Sequence, residues 1–137
     1  TQMRFSPAAA DEIAGLTVFG FNYALLGVRR SGTGTRVELI ENVAANEPGA
    51  RGRIVASASV KATHDPIYLR VTIDKDAVGR FSYSLDNQSF TPIGDTFQAS
   101  VDRWIGAKIG LIATAPSAAH NTGYAEFDWF RITPPVR

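Results

Sequence analysis

The chain has 137 residues, of which 45% are apolar and 20% are charged, and its net charge is +1. That length is enough for one domain with its own core, and the composition is typical of a folded globular protein. The near-neutral charge argues against nucleic acid or anionic membranes as partners. The absence of cysteine excludes disulfides and thiolate chemistry.

The first half of the chain contains four predicted strands. Residues 13–20 and 23–30 are almost entirely apolar and flank a short turn at 21–22, so we expect two buried strands joined as a hairpin. The segments that follow are a glycine-rich turn at 31–35, a strand at 36–41, a polar loop at 42–53 and a weaker strand at 53–60.

The second half continues this pattern. Residues 67–74 alternate strictly, with apolar side chains on one face and mostly polar ones on the other. Further strands are predicted at 80–85, 90–94, 107–114 and 123–132. No segment of helical length has helical periodicity. The sequence therefore predicts an all-β fold in which two antiparallel sheets form a sandwich.

The two apolar strands of the first half need neighbours. Residues 14–20 and 23–28 are apolar on both faces, which is typical of central strands with a neighbour on each side. The sequence begins with Thr1 rather than Met. We therefore expect another polypeptide to supply some of these neighbours, either an N-terminal part of the same protein or a second copy in a homo-oligomer.

Glu126 and Asp128 form a candidate acidic site. They are two residues apart on a predicted strand, which places them on one face and about 7 Å apart at Cα. A carboxylate pair suits a glycosidase, or a calcium site completed by backbone carbonyls, and it is also compatible with an ordinary polar sheet face. Oxygen ligands favour calcium over other metals, with Asp128 nearer to the ion. No other cofactor is expected.

Aromatic residues are concentrated near the C-terminus. Phe127 and Trp129 are predicted to share one face of the last strand, and Tyr124 to share the other face with the acids. Trp104 precedes a strand and should lie near one end of the sandwich. An aromatic side chain there can stack on a sugar or pack against a neighbouring domain.

Three segments carry a family resemblance: AGLTVFGFNYALLGV at 14–28, FSYSLDNQSFTPIG at 81–94, and a tail from WIGAKIGLIA to GYAEFDWFRI at 104–132. They resemble the C-terminal β-sandwich of glycoside hydrolase family 43, which contains β-xylosidases and α-L-arabinofuranosidases. The resemblance covers residues 12–132 and implies a concanavalin A/laminin G-like jelly roll. Residues 1–137 would then be one sandwich domain, the C-terminal part of a longer glycoside hydrolase.

The resemblance also implies a partner. In that family the sandwich follows a five-bladed β-propeller that carries the catalytic Asp, Asp and Glu, so no catalytic residue transfers to this chain. Some relatives extend an aromatic from the sandwich into the propeller pocket, and Trp104 is the best match. This chain departs from the family in two ways. The family tail reads Ala-Asp-Phe-Asp, whereas residues 125–128 read Ala-Glu-Phe-Asp, so a metal-binding role for Glu126 is weakened. The family domain also usually has further strands before the position of Thr1.

Three functions remain open. The first is a non-catalytic accessory domain that buttresses or shapes the pocket of a propeller acting on xylan- or arabinan-type plant cell-wall oligosaccharides. The second is an independent carbohydrate-binding module that uses Tyr68 and Arg70 on a sheet face. The third, an enzyme, ranks last because Arg131 stands where a Glu-x-Asp-x-x-Glu run needs its last acid. The compartment stays open between the bacterial cytoplasm and a secreted or periplasmic location.

Overall fold

The computed structural model describes residues 1–31, 34–43, 47–61, 66–115 and 122–134. These residues contain eleven β-strands and no helix, and so no helix that could cross a membrane. The strands form two antiparallel sheets, which confirms the predicted sandwich. The predicted turn at 31–35 and the predicted polar loop at 42–53 lie partly outside the described residues.

One sheet has five strands in the order β10-β2-β3-β4-β5. The turn between β2 and β3 is closed by the Gly20 N–H, which donates to the Asn22 carbonyl at 2.9 Å. The strands of this sheet are β2 (Ile13–Phe19), β3 (Tyr23–Ser31), β4 (Gly34–Asn42), β5 (Arg53–Val60) and β10 (Lys108–Thr114). Each was predicted from its apolar pattern, to within two residues at either end.

The other sheet has six strands in the order β11-β1-β6-β7-β8, with β9 also paired to β7. Its strands are β1 (Gln2–Ser6), β6 (Ile67–Ile73), β7 (Val78–Ser84), β8 (Thr91–Pro92), β9 (Phe97–Gln98) and β11 (Tyr124–Trp129). The alternation predicted for residues 67–74 is present in β6, where Ile67 and Leu69 are buried and Arg70 is exposed.

The core lies between the facing sides of the two sheets. Apolar side chains at alternate positions of β2, β3 and β4 meet those of β1, β6 and β7, and each buried one contributes about 1.5–3 kcal/mol by leaving water. The largest fully buried apolar side chains are Met3, Leu26, Leu39, Ile67, Leu69, Val18, Val28 and Val37. The period-2 pattern of the sequence therefore decides which face of each strand is covered.

Strand β1 was not predicted. Residues 2–6 alternate, with Met3 and Phe5 buried and Arg4 and Ser6 exposed. The strand inserts between β11 and β6, so it joins the last strand of the chain to the centre of the sheet. Five residues at the edge of a sequence give a weak periodic signal, which is why this strand was missed.

The expectation that another polypeptide supplies the neighbours of β2 and β3 is wrong. Strand β2 pairs with β10 and β3, and strand β3 pairs with β2 and β4, all within this chain. On their outer face Ile13 is 5% exposed and Leu25 is 7% exposed, whereas Phe19 at the end of β2 is 50% exposed. Both strands are central, as predicted, but the chain provides their neighbours itself.

Candidate functional site

Trp104 lies in the segment between β9 and β10, at the end of the sandwich where β2 turns into β3. The main chain of this segment is held against that turn: the Phe21 N–H donates to the Val101 carbonyl at 3.0 Å, and the Asn22 N–H donates to the Ser100 hydroxyl at 2.6 Å. The Trp104 side chain is nevertheless 92% exposed. An anchored backbone therefore presents a large aromatic ring to the outside.

Exposed apolar side chains continue from this segment along β10. Ile109 and Leu111 pair with Val18 and Leu16, so they point toward the core, yet they are 39% and 38% exposed. The sandwich is therefore open along this edge. We call this exposed apolar region the β10 margin, and it consists of Val101, Trp104, Ile105, Ile109 and Leu111.

A second surface crosses three neighbouring strands of the six-stranded sheet. Gln2 of β1 pairs with Trp129 of β11 on one side and with Tyr68 of β6 on the other. The two rings lean toward each other, with 6.3 Å between their centroids and 36° between their planes. The Trp129 Nε1–H donates to Gln2 Oε1 at 3.2 Å. We call these three residues the aromatic row.

A β-bulge produces the aromatic row. Between β1 and β11 the register shifts, so that Gln2 faces Trp129 while Met3 faces Phe127, and Asp128 is the extra residue. Such a bulge breaks the alternation of a strand. The prediction that Phe127 and Trp129 share a face is therefore wrong: Phe127 packs against the core, and Trp129 lies on the outer face with Tyr68.

Two guanidinium groups flank the aromatic row. The Arg131 Cζ lies 4.4 Å from the centroid of the Trp129 ring, and the Arg70 Cζ lies 3.4 Å from that of Phe90. Arg131 follows Trp129 by two residues, and Arg70 follows Tyr68 by two residues, so each arginine adjoins one ring of the aromatic row.

A comparison with known protein families identifies the family to which this chain belongs. Residues 1–133 match the family model described as the beta xylosidase C-terminal concanavalin A-like domain. The chain belongs to this family. The family domain is the C-terminal concanavalin A-like sandwich of glycoside hydrolase family 43 enzymes, so the resemblance of the three sequence segments is confirmed. A search of curated proteins found no match.

Solved structures share the fold of this family domain. A bifunctional family 43 glycoside hydrolase–CE protein of Bacteroides eggerthii superposes with a TM-score of 0.69 at 21% identity, over 90% of this chain and 16% of that one. A family 43 enzyme engineered to display endo-xylanase and exo-arabinofuranosidase activity superposes with a TM-score of 0.68 at 22% identity, over 85% of this chain and 26% of that one. This chain therefore spans about a quarter or less of these proteins.

The predicted acidic pair lies beside the aromatic row. Asp128 accepts a hydrogen bond from the Gln2 side-chain amide and forms an ion pair with Arg4 at 3.3 Å, and Glu126 is the strand partner of Arg4. Both acids are exposed. Among the described residues, no three Asp, Glu, His or Cys side chains form a group that could hold a metal ion. The calcium site at Asp128 and Glu126 stays a prediction.

Of the carboxylates in the ranges that the structure describes, two are buried outside both surfaces: Glu38, which pairs with Arg29, and Glu12. Glu12 is 3% exposed, and its Oε2 accepts a hydrogen bond from the Ala8 N–H at 2.7 Å. Its Oε1 is closed to solvent and has no hydrogen-bond partner in the described part of the chain. The pocket beside it, about 200 Å³ in volume, is lined by Phe5, Glu12, Ala113, Thr114, Ala115, Gly123 and Tyr124. This lining holds one carboxylate, whereas a glycosidase uses two.

Proposed function

We propose that the chain is a non-catalytic accessory sandwich of a family 43 glycoside hydrolase, and that its β10 margin docks on a separate catalytic β-propeller. The propeller would act on xylan- or arabinan-type glycans, and Trp104 would border its pocket. The observation that carries this proposal is the 92% exposure of Trp104 on an anchored backbone. A tryptophan ring in water contributes little to the stability of this chain, whereas a partner that covers the ring would bury a large apolar surface.

The apolar side chains around Trp104 support the same partner. The β10 margin brings five large apolar residues between positions 101 and 111, where a monomer surface usually scatters them singly. At the opposite edge of the same sheet, β5 exposes two large apolar residues, Ile54 and Val55, and both edges also carry exposed basic side chains. A domain interface is apolar at its centre and polar at its rim, so the β10 margin is the better docking surface.

The test compares the isolated chain with the full product of the gene that encodes it. We expect hydroxyl-radical labelling, read by mass spectrometry, to modify Trp104 in the isolated chain and to spare it in the full protein. Trp104→Ala should lower kcat/KM for aryl xylosides or arabinofuranosides about tenfold in the full protein, the effect of losing one well-buried contact. Ile54→Ala is the matched control at the other edge and should leave kcat/KM unchanged.

Two results would contradict the proposal. Equal labelling of Trp104 in both proteins would show that no propeller covers it. Hydrolysis of aryl glycosides by the isolated chain, lost on Glu126→Gln or Asp128→Asn, would show that the acidic pair is catalytic.

A second candidate function is carbohydrate binding at the aromatic row. The observation that favours it is the meeting of Tyr68 and Trp129 on an outer sheet face beside the Gln2 amide. Aromatic rings pack against the apolar face of a sugar, and amide groups bind its hydroxyls. Binding of a xylo-oligosaccharide by the isolated chain, lost on Tyr68→Ala, would be the expected result.

A further inference from the structure

Two arginines next to the aromatic row, Arg70 and Arg131, differ from the ion-paired arginines of the surface. Arg4, Arg29 and Arg80 form ion pairs with carboxylates at 3.2 to 3.3 Å. Arg70 and Arg131 form no ion pair within the described residues, and each guanidinium instead lies over an aromatic ring. Their positive charges are therefore not compensated by an acid of this surface.

Stacking leaves the hydrogen-bonding edge of a guanidinium free. A guanidinium that stacks flat on a ring keeps its N–H groups available for hydrogen bonds, because these groups lie in its plane. Those N–H groups match the two oxygens of a carboxylate, which an arginine binds in a bidentate manner. The ring below also fixes the side chain, so less rotamer freedom is lost on binding. Arg70 and Arg131 are therefore preorganised to bind an anion.

The Asp128 carboxylate, which lies beside the aromatic row, does not compete for these arginines. Asp128 already forms its ion pair with Arg4 and accepts a hydrogen bond from Gln2. The two free guanidinium groups lie on either side of the aromatic row, because Arg131 contacts Trp129 and Arg70 follows Tyr68 on the same face of β6. The surface therefore combines an apolar ring pair with positive charge at its borders.

We propose that the aromatic row binds an acidic sugar, a hexuronate unit of a glycan, with its pyranose ring against Tyr68, next to Trp129, and its carboxylate on Arg70 or on the Arg131 guanidinium that covers Trp129. This inference rests on the second candidate function, since it names the ligand class of that site. A free inorganic anion would use the arginines but not the rings, and a neutral sugar would use the rings but not the arginines. The hexuronate is the ligand that engages both.

The experiment measures binding by isothermal titration calorimetry with the whole chain at 20 mM NaCl. The ligands are a xylo-oligosaccharide with one glucuronic acid branch, the same oligosaccharide without the branch, free glucuronic acid and sodium acetate. We expect the acidic oligosaccharide to bind at least tenfold more tightly than the neutral one. The difference should shrink at 300 mM NaCl, because salt screens exposed charges.

Variants separate charge from stacking. Arg131→Gln and Arg70→Gln should reduce the preference for the acidic oligosaccharide while binding of the neutral one persists. Arg80→Gln removes the same charge elsewhere on the sheet, where Arg80 pairs with Asp74 at 3.3 Å, and should leave the preference unchanged. Arg131→Lys keeps the charge without the bidentate geometry and should retain part of the preference, which provides a test if the glutamine variant unfolds.

Each other outcome has a definite meaning. Equal affinity for the acidic and the neutral oligosaccharide would leave the carbohydrate site standing and overturn the inference about acidic sugars. Failure of both oligosaccharides to bind would overturn the site as well. Binding of acetate or free glucuronic acid as tightly as the acidic oligosaccharide would identify a simple anion site and overturn the proposal.

Discussion

The β2–β3 hairpin and the β10 margin have similar composition but opposite surroundings. Leu26 and Val28 of the hairpin are fully buried between the two sheets. Ile109 and Leu111 of the margin belong to the same sheet and point the same way, but more than a third of each is exposed. The difference comes from strand order, because the hairpin is central and β10 is an edge strand.

This comparison separates what the chain needs to fold from what it offers to a partner. An apolar side chain at the centre contributes to the free energy of folding of this chain. An apolar side chain at an open edge contributes little until something covers it, and it is also a site at which the protein can associate. Substitutions in the two regions should therefore affect different measurements.

The largest expected effect is the loss of a core side chain from the hairpin. Leu26→Ala removes a fully buried leucine and should lower the free energy of unfolding by about 3 kcal/mol, since leucine truncations in cores cost about 2–5 kcal/mol. Trp104→Ala removes a larger side chain from the β10 margin and should change the same quantity by less than about 0.5 kcal/mol. Urea denaturation of the isolated chain measures both. Equal losses would show that the margin belongs to the core.

A smaller effect is expected from a substitution at Gly15, which pairs with Gly27 across the β2–β3 hairpin. A Cβ on Gly15 would lie 2.0 Å from the Leu26 carbonyl oxygen, so Gly15→Ala forces β2 and β3 apart. Overpacking of this kind costs about 1–3 kcal/mol. Gly110→Ala, on neighbouring β10, meets its nearest atom at 4.0 Å and is the matched control. Thermal melting should show a clear loss for Gly15→Ala and little change for Gly110→Ala, and the reverse order would contradict the comparison.

Much of the fold was predictable from the sequence because its strands repeat with period 2. Residues 67–73 alternate cleanly, so β6 and its buried face were identified correctly. The hairpin was recognised as central because it is apolar on both faces. Its neighbours were not identified, since β10 follows β2 in the chain by about ninety residues, and no local pattern encodes a pairing over that distance.

The candidate site was less predictable for a related reason. Tyr68 and Arg70 were singled out from their own strand, and Trp104 from its position before β10. Trp129 was assigned to the wrong face because a bulge leaves no mark in an alternating pattern. Gln2 was missed together with β1. The aromatic row depends on three strands distant in sequence, so only the fold brings it together.

The smallest expected effect concerns the turn between β7 and β8, which is as exposed as the β10 margin but bonded internally. Asp86 accepts hydrogen bonds from the N–H groups of Gln88 and Ser89 and from the Ser84 hydroxyl, each at 2.8 Å. These bonds, with Gln88 first, lower the pKa of Asp86 from 3.8 to about 2. An exposed region can therefore still contribute to the stability of the fold.

The lowered pKa fixes the sign of the pH effect. A carboxyl group with a depressed pKa in the folded state stabilises the protein above its unfolded pKa, and this stabilisation is lost as the pH falls from about 4 to about 2. Asp86→Asn should lower the melting temperature slightly at pH 6, and the difference from the unsubstituted chain should close between pH 4 and pH 2. Asp76→Asn is the control, because in the described residues only the Lys75 side chain donates to that carboxylate. A melting-temperature difference for Asp86→Asn that stays constant over this pH range would mean that the turn does not depend on the charge of Asp86.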